Sequence, residues 1–177
     1  MIKILPYQLK NAEFTAWDPI YLKVAKQLIQ LITTNNIEVI HFGSTSAMVG
    51  GKGIIDLSVL YRAGELEQAV AHLRQLGFQD QHSMRPFPAT RPRKDGAVEI
   101  EGKSYLIHAH VIEKDSHEHQ QQIQFREYLL ANPQARQSYE TKKKTILANG
   151  IHHLDDYGQQ KSPHVKSVLN DLSPYSK

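Results

Sequence analysis

One acidic residue, Asp56, stands alone in the apolar run GIIDLSVLY, residues 53–61. A carboxylate buried in a strand without a partner is costly, so it must be hydrogen-bonded, paired or bound to a metal ion. Side chains two apart share one face of a strand. Asp56 and Ser58 therefore point one way, and Ile55, Leu57 and Val59 the other. His108 and His110 repeat the pattern in YLIHAHVIE, and two imidazoles on one face suit one ion or one phosphate. Were the two strands neighbours, that face would collect a carboxylate and two imidazoles, a set able to hold a divalent metal with open positions. The turn Gly43-Ser44-Thr45-Ser46 completes the group. After a strand, the glycine permits a sharp bend, and the next residues offer N–H groups and hydroxyls to an anion, although the same residues also make a plain helix cap.

The expectation is a cleft in which Asp56 acts as metal ligand beside His108 and His110, with Ser44, Thr45, Ser46 and Lys52 around an anion. The ion would be Mg or Mn, or Zn where the histidines bind it. The segment GGKG lacks the spacing and the following Ser or Thr of a phosphate-binding lysine loop, which excludes a P-loop ATPase. No serine or cysteine stands in a nucleophile pattern with its base. Among the other histidines, His117 and His119 sit two apart near a helix start and do not face each other. His72, His82, His152, His153 and His164 read as surface residues.

The 177 residues fit one compact domain, or a small domain with a helical appendage. Cysteine is absent, which excludes disulfides and thiolate metal sites. No apolar run approaches membrane-spanning length and the start shows no cleavable leader, so the expected location is the cytoplasm. A net charge of +3 with mixed signs is too mild to point to nucleic acid. Two basic clusters could serve an anion: Arg85, Arg91, Arg93 and Lys94 in a proline-rich loop, and Lys142, Lys143 and Lys144. Solvated surface charge is the reading for Lys143 and Lys144.

These groups must be placed by a mixed set of elements. Leu22, Ala25, Leu28, Ile29 and Ile32 recur at helical spacing after Asp18-Pro19, a cap and first-turn pair, with a stop at Asn35-Asn36. IEVIHF and GIIDLSVLY read as strands, the second covered on both faces. ELEQAVAHLRQLG is a helix ended by Gly77, FQDQH is strand-like, and Ser83 to Lys94 is a loop. GAVEIEGKSYLIHAHVIE forms a hairpin turning near Glu101-Gly102-Lys103. Two helices follow, divided at Asn132-Pro133, and a third runs from about Ser162-Pro163 to Leu172. The class is α+β, with an α/β core over 1–114 and a helical portion over 115–177 packed on it.

HFGSTSAMVGGKGIIDLSVL, LIHAHVIE, FREYLLANPQARQSYETKK and YGQQK together resemble the GrpB family, in the right order and from about Val39 to Val168. The resemblance implies the nucleotidyltransferase fold: a mixed sheet flanked by helices, a Gly-Ser turn opening the cleft and a helical C-terminal portion closing one side. In such proteins the turn binds a triphosphate, and two carboxylates two residues apart, joined by a third on a later strand, hold divalent ions. Gly43 and Ser44 match the turn and Asp56 the first carboxylate. Ser58 stands where the second belongs, and His108 or His110 lies on the strand of the third. Arg126, Tyr139, Lys142, Tyr157 and Lys161 match positions in the helical part, where Arg126, Lys142 and Lys161 would complement phosphate. The implied function is a nucleotide- or phosphate-binding cleft with metal-dependent nucleotidyl transfer to a small acceptor. Ser58 is a poor Mg ligand, which leaves open a binding module that senses a nucleotide or phosphorylated metabolite. The expected partner is such a small molecule, without membrane or nucleic acid. RNA binding by the Arg85–Lys94 loop is a third reading, weakened by the lack of interleaved aromatics. Oligomeric state is not readable from the sequence.

Overall fold

The computed structural model describes residues 2–150 and 154–172. The elements run α1 (Ile20–Ile32), β1 (Glu38–Phe42), α2 (Gly43–Ser46), β2 (Ile55–Tyr61), α3 (Leu66–Leu76), β3 (Gln79–Asp80), β4 (Arg93–Ile100), β5 (Lys103–Glu113), α4 (His117–Ala131), α5 (Pro133–Ala148) and α6 (Leu154–Leu172). This is the expected α+β class. The five strands form one mixed sheet in the order β1-β2-β5-β4-β3. Among the described residues β2 and β5 pair in parallel, and β1–β2, β5–β4 and β4–β3 pair antiparallel.

Alternation along the strands divides the sheet into two unlike faces. Ile55, Leu57 and Val59 of β2 and Ile107, Ala109 and Val111 of β5 lie in one apolar core with Val24, Leu28 and Ile32 of α1 and Leu73 of α3. The opposite face carries the polar residues. Register sets Phe42, Asp56, His108 and Asp95 in one row across β1, β2, β5 and β4, and Ile40, Ser58, His110 and Arg93 in the next. Helix α4 bonds onto this face: Ser58 donates to Gln122, and the Arg126 guanidinium donates to the His41 carbonyl at 2.9 Å.

Local chemistry explains most boundaries. The Asp18 carboxylate accepts from Ile20 N–H at 2.8 Å, the capping role its position suggests. The β4–β5 hairpin turns on Glu101 and Gly102, both with positive φ, as a two-residue connection requires. Pro133 opens α5 at its first turn. Three expectations need correction. Helix α1 ends at Ile32, before Asn35-Asn36. Arg93 and Lys94 belong to β4 and not to the loop, where the Pro92 carbonyl already accepts from Val111 N–H at 2.8 Å. Helix α6 begins at Leu154, eight residues before the expected start at Ser162, and carries Pro163 inside it. His152 and His153 lie outside the described residues. Among the described residues no helix is long and apolar enough to cross a membrane.

Candidate functional site

The geometry begins with the parallel pairing of β2 and β5, which sets Asp56 directly opposite His108 and Ser58 opposite His110. Asp56 Oδ1 lies 3.6 Å from His108 Nδ1 and 3.5 Å from His110 Nε2. One ligand atom from each of the three residues falls within 4.8 Å of the others. Burial acts to raise the Asp56 carboxyl, and the two imidazoles turned on it outweigh burial and hold it well below the usual carboxylate range. His108 is buried, and desolvation lowers it to about 4 despite Asp56 beside it. The imidazole is therefore neutral near pH 7, the state that offers a lone pair to a ligand.

Gly43 ties the turn to this carboxylate. Its φ is +75°, and a Cβ placed there would stand 2.7 Å from Asp56 Oδ2. The bend and Asp56 thus meet in one place, and both Gly43 and Ser44 line the same cleft of about 570 Å³ as Lys52, Asp56, His108 and His110. Thr45 and Ser46 have other tasks. The buried Thr45 hydroxyl donates to the Ile54 carbonyl at 3.3 Å and lies 2.9 Å from His41 Nε2, and the Ser46 hydroxyl donates to the Gly43 carbonyl at 2.7 Å. Both brace the turn from behind rather than line the cleft.

The lysines divide in the same way. Lys161 lines the cleft with Lys52, and the two ammoniums stand 5.6 and 4.3 Å from the centroid of the Tyr157 ring. Lys142 is exposed and does not line the cleft, so the anion role carried over to it has no geometric support. Its neighbour Lys143, expected at the surface, is 2% exposed. Lys143 Nζ lies over the Tyr139 ring at 4.4 Å and donates to the Gly50 carbonyl at 3.3 Å. Burial, together with Lys161 and Lys52 nearby, pushes its ammonium well below the usual lysine value. Arg126 is a brace on His41 and is absent from the cleft lining.

Several residues in or around the cleft were missed or misread in the sequence. The Tyr7 hydroxyl lies 3.0 Å from His108 Nε2, across 101 residues of chain, and fixes the ring whose Nδ1 faces Asp56. Burial and the carboxylates of Asp95 and Asp56 push Tyr7 up to about 12, so it stays protonated. Asp95 is a second carboxylate in the Asp56 row, but Arg93 takes both its oxygens, at 2.7 and 2.8 Å. Phe87 lies between Arg85 and Arg91, which corrects the expectation that this segment has no interleaved aromatic, and it is edge-on to His110 at 5.1 Å. His164, expected to be an isolated surface residue, stacks on Tyr139 at 5.4 Å. His119 is also buried, with Nδ1 accepting from Asp115 N–H.

Fold and site together define an α+β protein whose mixed sheet presents a carboxylate and two imidazoles to a cation-lined cleft. The chain belongs to the GrpB family: the family described as GrpB protein matches residues 8–171. No curated protein matches it. Among solved structures it is similar to the Cid1 poly(U) polymerase, at 16% identity and a TM-score of 0.48, over 72% of this chain and 39% of that one. A second Cid1 structure, described with Mg and 3'-dATP bound, gives 14% identity and a TM-score of 0.46, over 72% and 41%. A cytoplasmic RNA terminal U-transferase gives 17% and 0.37, over 54% and 31%. The chain spans about two-fifths of the first of these proteins, and likenesses of this degree decide nothing about its chemistry.

Proposed function

We propose that this GrpB-family protein binds a nucleotide or another phosphorylated small molecule together with one divalent ion, and transfers a nucleotidyl group to a small acceptor. The observation that supports this reading is the convergence of the Gly43-Ser44 turn, Asp56 and two imidazoles on one cleft wall. The Asp56–imidazole separations of 3.5 and 3.6 Å exceed the usual hydrogen-bond length. They match two ligands flanking one ion, since bonds of about 2.1 Å at a tetrahedral angle set their ends about 3.4 Å apart. One carboxylate with two imidazoles suits Zn or Mn better than Mg, which prefers oxygen throughout. Asp56, His108 and His110 would hold the ion, and an ion there supplies Lewis-acid polarisation of a phosphoryl oxygen. Ser44 faces the phosphates from the turn, while Lys52 and Lys161 neutralise their charge. The cleft volume falls within the range of small-molecule sites.

A second reading is a sensor that binds the same ligand without turnover. Two observations favour it. Ser58 is buried and spent on Gln122, and Asp95 is spent on Arg93, so Asp56 is the one carboxylate of its row free to meet a metal. A single series of measurements separates the two. Nucleoside triphosphate with Mn²⁺ should raise the melting temperature of the wild type, because a ligand that binds only the folded state must stabilise it. Asp56→Ala should keep the fold and lose that rise. With a panel of small hydroxyl-, phosphate- and carboxylate-bearing acceptors added, release of pyrophosphate marks the transferase, and stabilisation without release marks the sensor. A variant that keeps the full stabilisation would remove Asp56 from the site.

A further inference from the structure

Resting on the reading of the cleft above, we infer that the acceptor is a small molecule bearing an oxyanion, held on a second subsite built by Arg85, Arg91 and Phe87. Three of the seven arginines of the chain, Arg85, Arg91 and Arg93, line the cleft, and all come from one nine-residue segment. Register places that segment away from the phosphate turn. Arg93 opens β4, Ser44 follows β1, and β2 and β5 lie between them with Asp56 and the two histidines. Three interstrand steps of about 4.8 Å put the β1 and β4 backbones about 14 Å apart, and Phe87 stands against His110 of β5, on the β4 side of Asp56. The metal-ligand set stands midway, where a donor from one side meets an acceptor from the other.

The segment is held ready for a ligand. Pro86, Pro88 and Pro92 fix its φ angles. Phe87 N–H donates to the Gln81 side chain at 2.9 Å, Arg91 N–H to the Pro88 carbonyl at 3.0 Å, and the Tyr61 hydroxyl to the Thr90 carbonyl at 3.1 Å. Phe87 lies between His110 and the guanidiniums of Arg91 and Arg93, 5.7 and 6.0 Å from its ring centroid. A rigid backbone with ring-supported guanidiniums loses little freedom on binding, which favours affinity. The charges are not equivalent. Arg93 is neutralised by Asp95, whereas Arg91 meets Glu118 only at 3.8 Å, with both side chains about two-fifths exposed. Arg91 can therefore exchange Glu118 for a ligand, and Arg85 lines the same cleft from an exposed position. The guanidinium fork fits phosphate and carboxylate alike.

Calorimetric titration of the full chain with inorganic phosphate tests this, in the wild type, in Arg85→Ala/Arg91→Ala and in Lys52→Ala/Lys161→Ala. The wild type should bind two phosphates and each double variant one, with affinity at the altered end falling by about tenfold or more. Acetate in the same three proteins distinguishes a carboxylate-bearing acceptor from a phosphorylated one, by binding with comparable strength at the arginine end. The inference is overturned if the arginine variant titrates like the wild type, or if the wild type binds neither anion at a second site. Failure of the lysine variant to lose a site would instead count against the phosphate role of Lys52 and Lys161 and leave the arginine subsite standing.

Discussion

Replacing Gly43 by alanine should separate the turn from Asp56 while leaving every ligand residue in the chain. Two costs follow from the structure. At φ +75° an L-residue is in the left-handed region, which costs about 1–2 kcal/mol. The new Cβ would also stand 2.7 Å from Asp56 Oδ2, 3.1 Å from Asp56 Cβ and 3.2 Å from Asp56 Cγ. Strand β2 is hydrogen-bonded on both edges, so the carboxylate moves more readily than the backbone, and it turns away from His108 and His110. The left-handed cost alone should lower the melting temperature by about 2–8 °C for a chain of this size. Divalent-ion affinity should fall by at least about 10–100-fold, since one ligand is displaced. Calorimetric titration with Mn²⁺ and thermal unfolding of the same samples measure both. In an Asp56→Ala background the carboxylate clash is gone, so Gly43→Ala should cost less there, and the double-mutant cycle should report the coupling. A Gly43→Ala protein that binds the ion like the wild type would refute the claim that the bend and the carboxylate form one site.

Lys143→Met should not lower the melting temperature and should raise it, because the residue is 2% exposed and burial already works against its charge; thermal unfolding checks this, and a marked loss of stability would show that its bond to the Gly50 carbonyl outweighs desolvation. His41 is lowered by burial from 6.5 to about 4 in the folded chain. Its contribution to stability is therefore complete above about pH 6.5, where the unfolded imidazole is also neutral, and is lost as pH falls toward 4. Urea midpoints across that window should fall with pH, and His41→Gln should flatten the slope; an unchanged slope would assign the decline to other groups.

The chemistry that could be read in the sequence follows a two-residue period. Asp56 and Ser58, and His108 and His110, had their shared face fixed by strand alternation alone, and so did the apolar residues between them. What one strand's period cannot supply is its neighbour. Tyr7 reaches His108 from a segment with little regular structure, and no spacing connects the two. The pairing of Arg93 with Asp95 was hidden because three prolines suggested that the loop continued to Lys94, whereas the last of them, Pro92, sits where the loop gives way to β4. Lys143 was misplaced for a related reason. In a run of three lysines on a helix of weak amphipathicity, composition does not say which one turns inward. The site chooses Lys143, whose ammonium is held between Tyr139 and the Gly50 carbonyl. Helix α6 was shortened because Pro163 reads as a first-turn residue, although the chain is already helical before it. The resemblance drew Arg126 and Lys142 toward the ligand, but one bonds a backbone carbonyl and the other is exposed.

Anomalous diffraction from crystals grown with Mn²⁺ and a non-hydrolysable nucleoside triphosphate tests the central claim most directly. The account predicts one strong peak bonded to Asp56 Oδ1, His108 Nδ1 and His110 Nε2, with phosphate density running toward Ser44 and Lys52. A peak elsewhere, or nucleotide bound with Asp56 still facing two metal-free imidazoles, would contradict it.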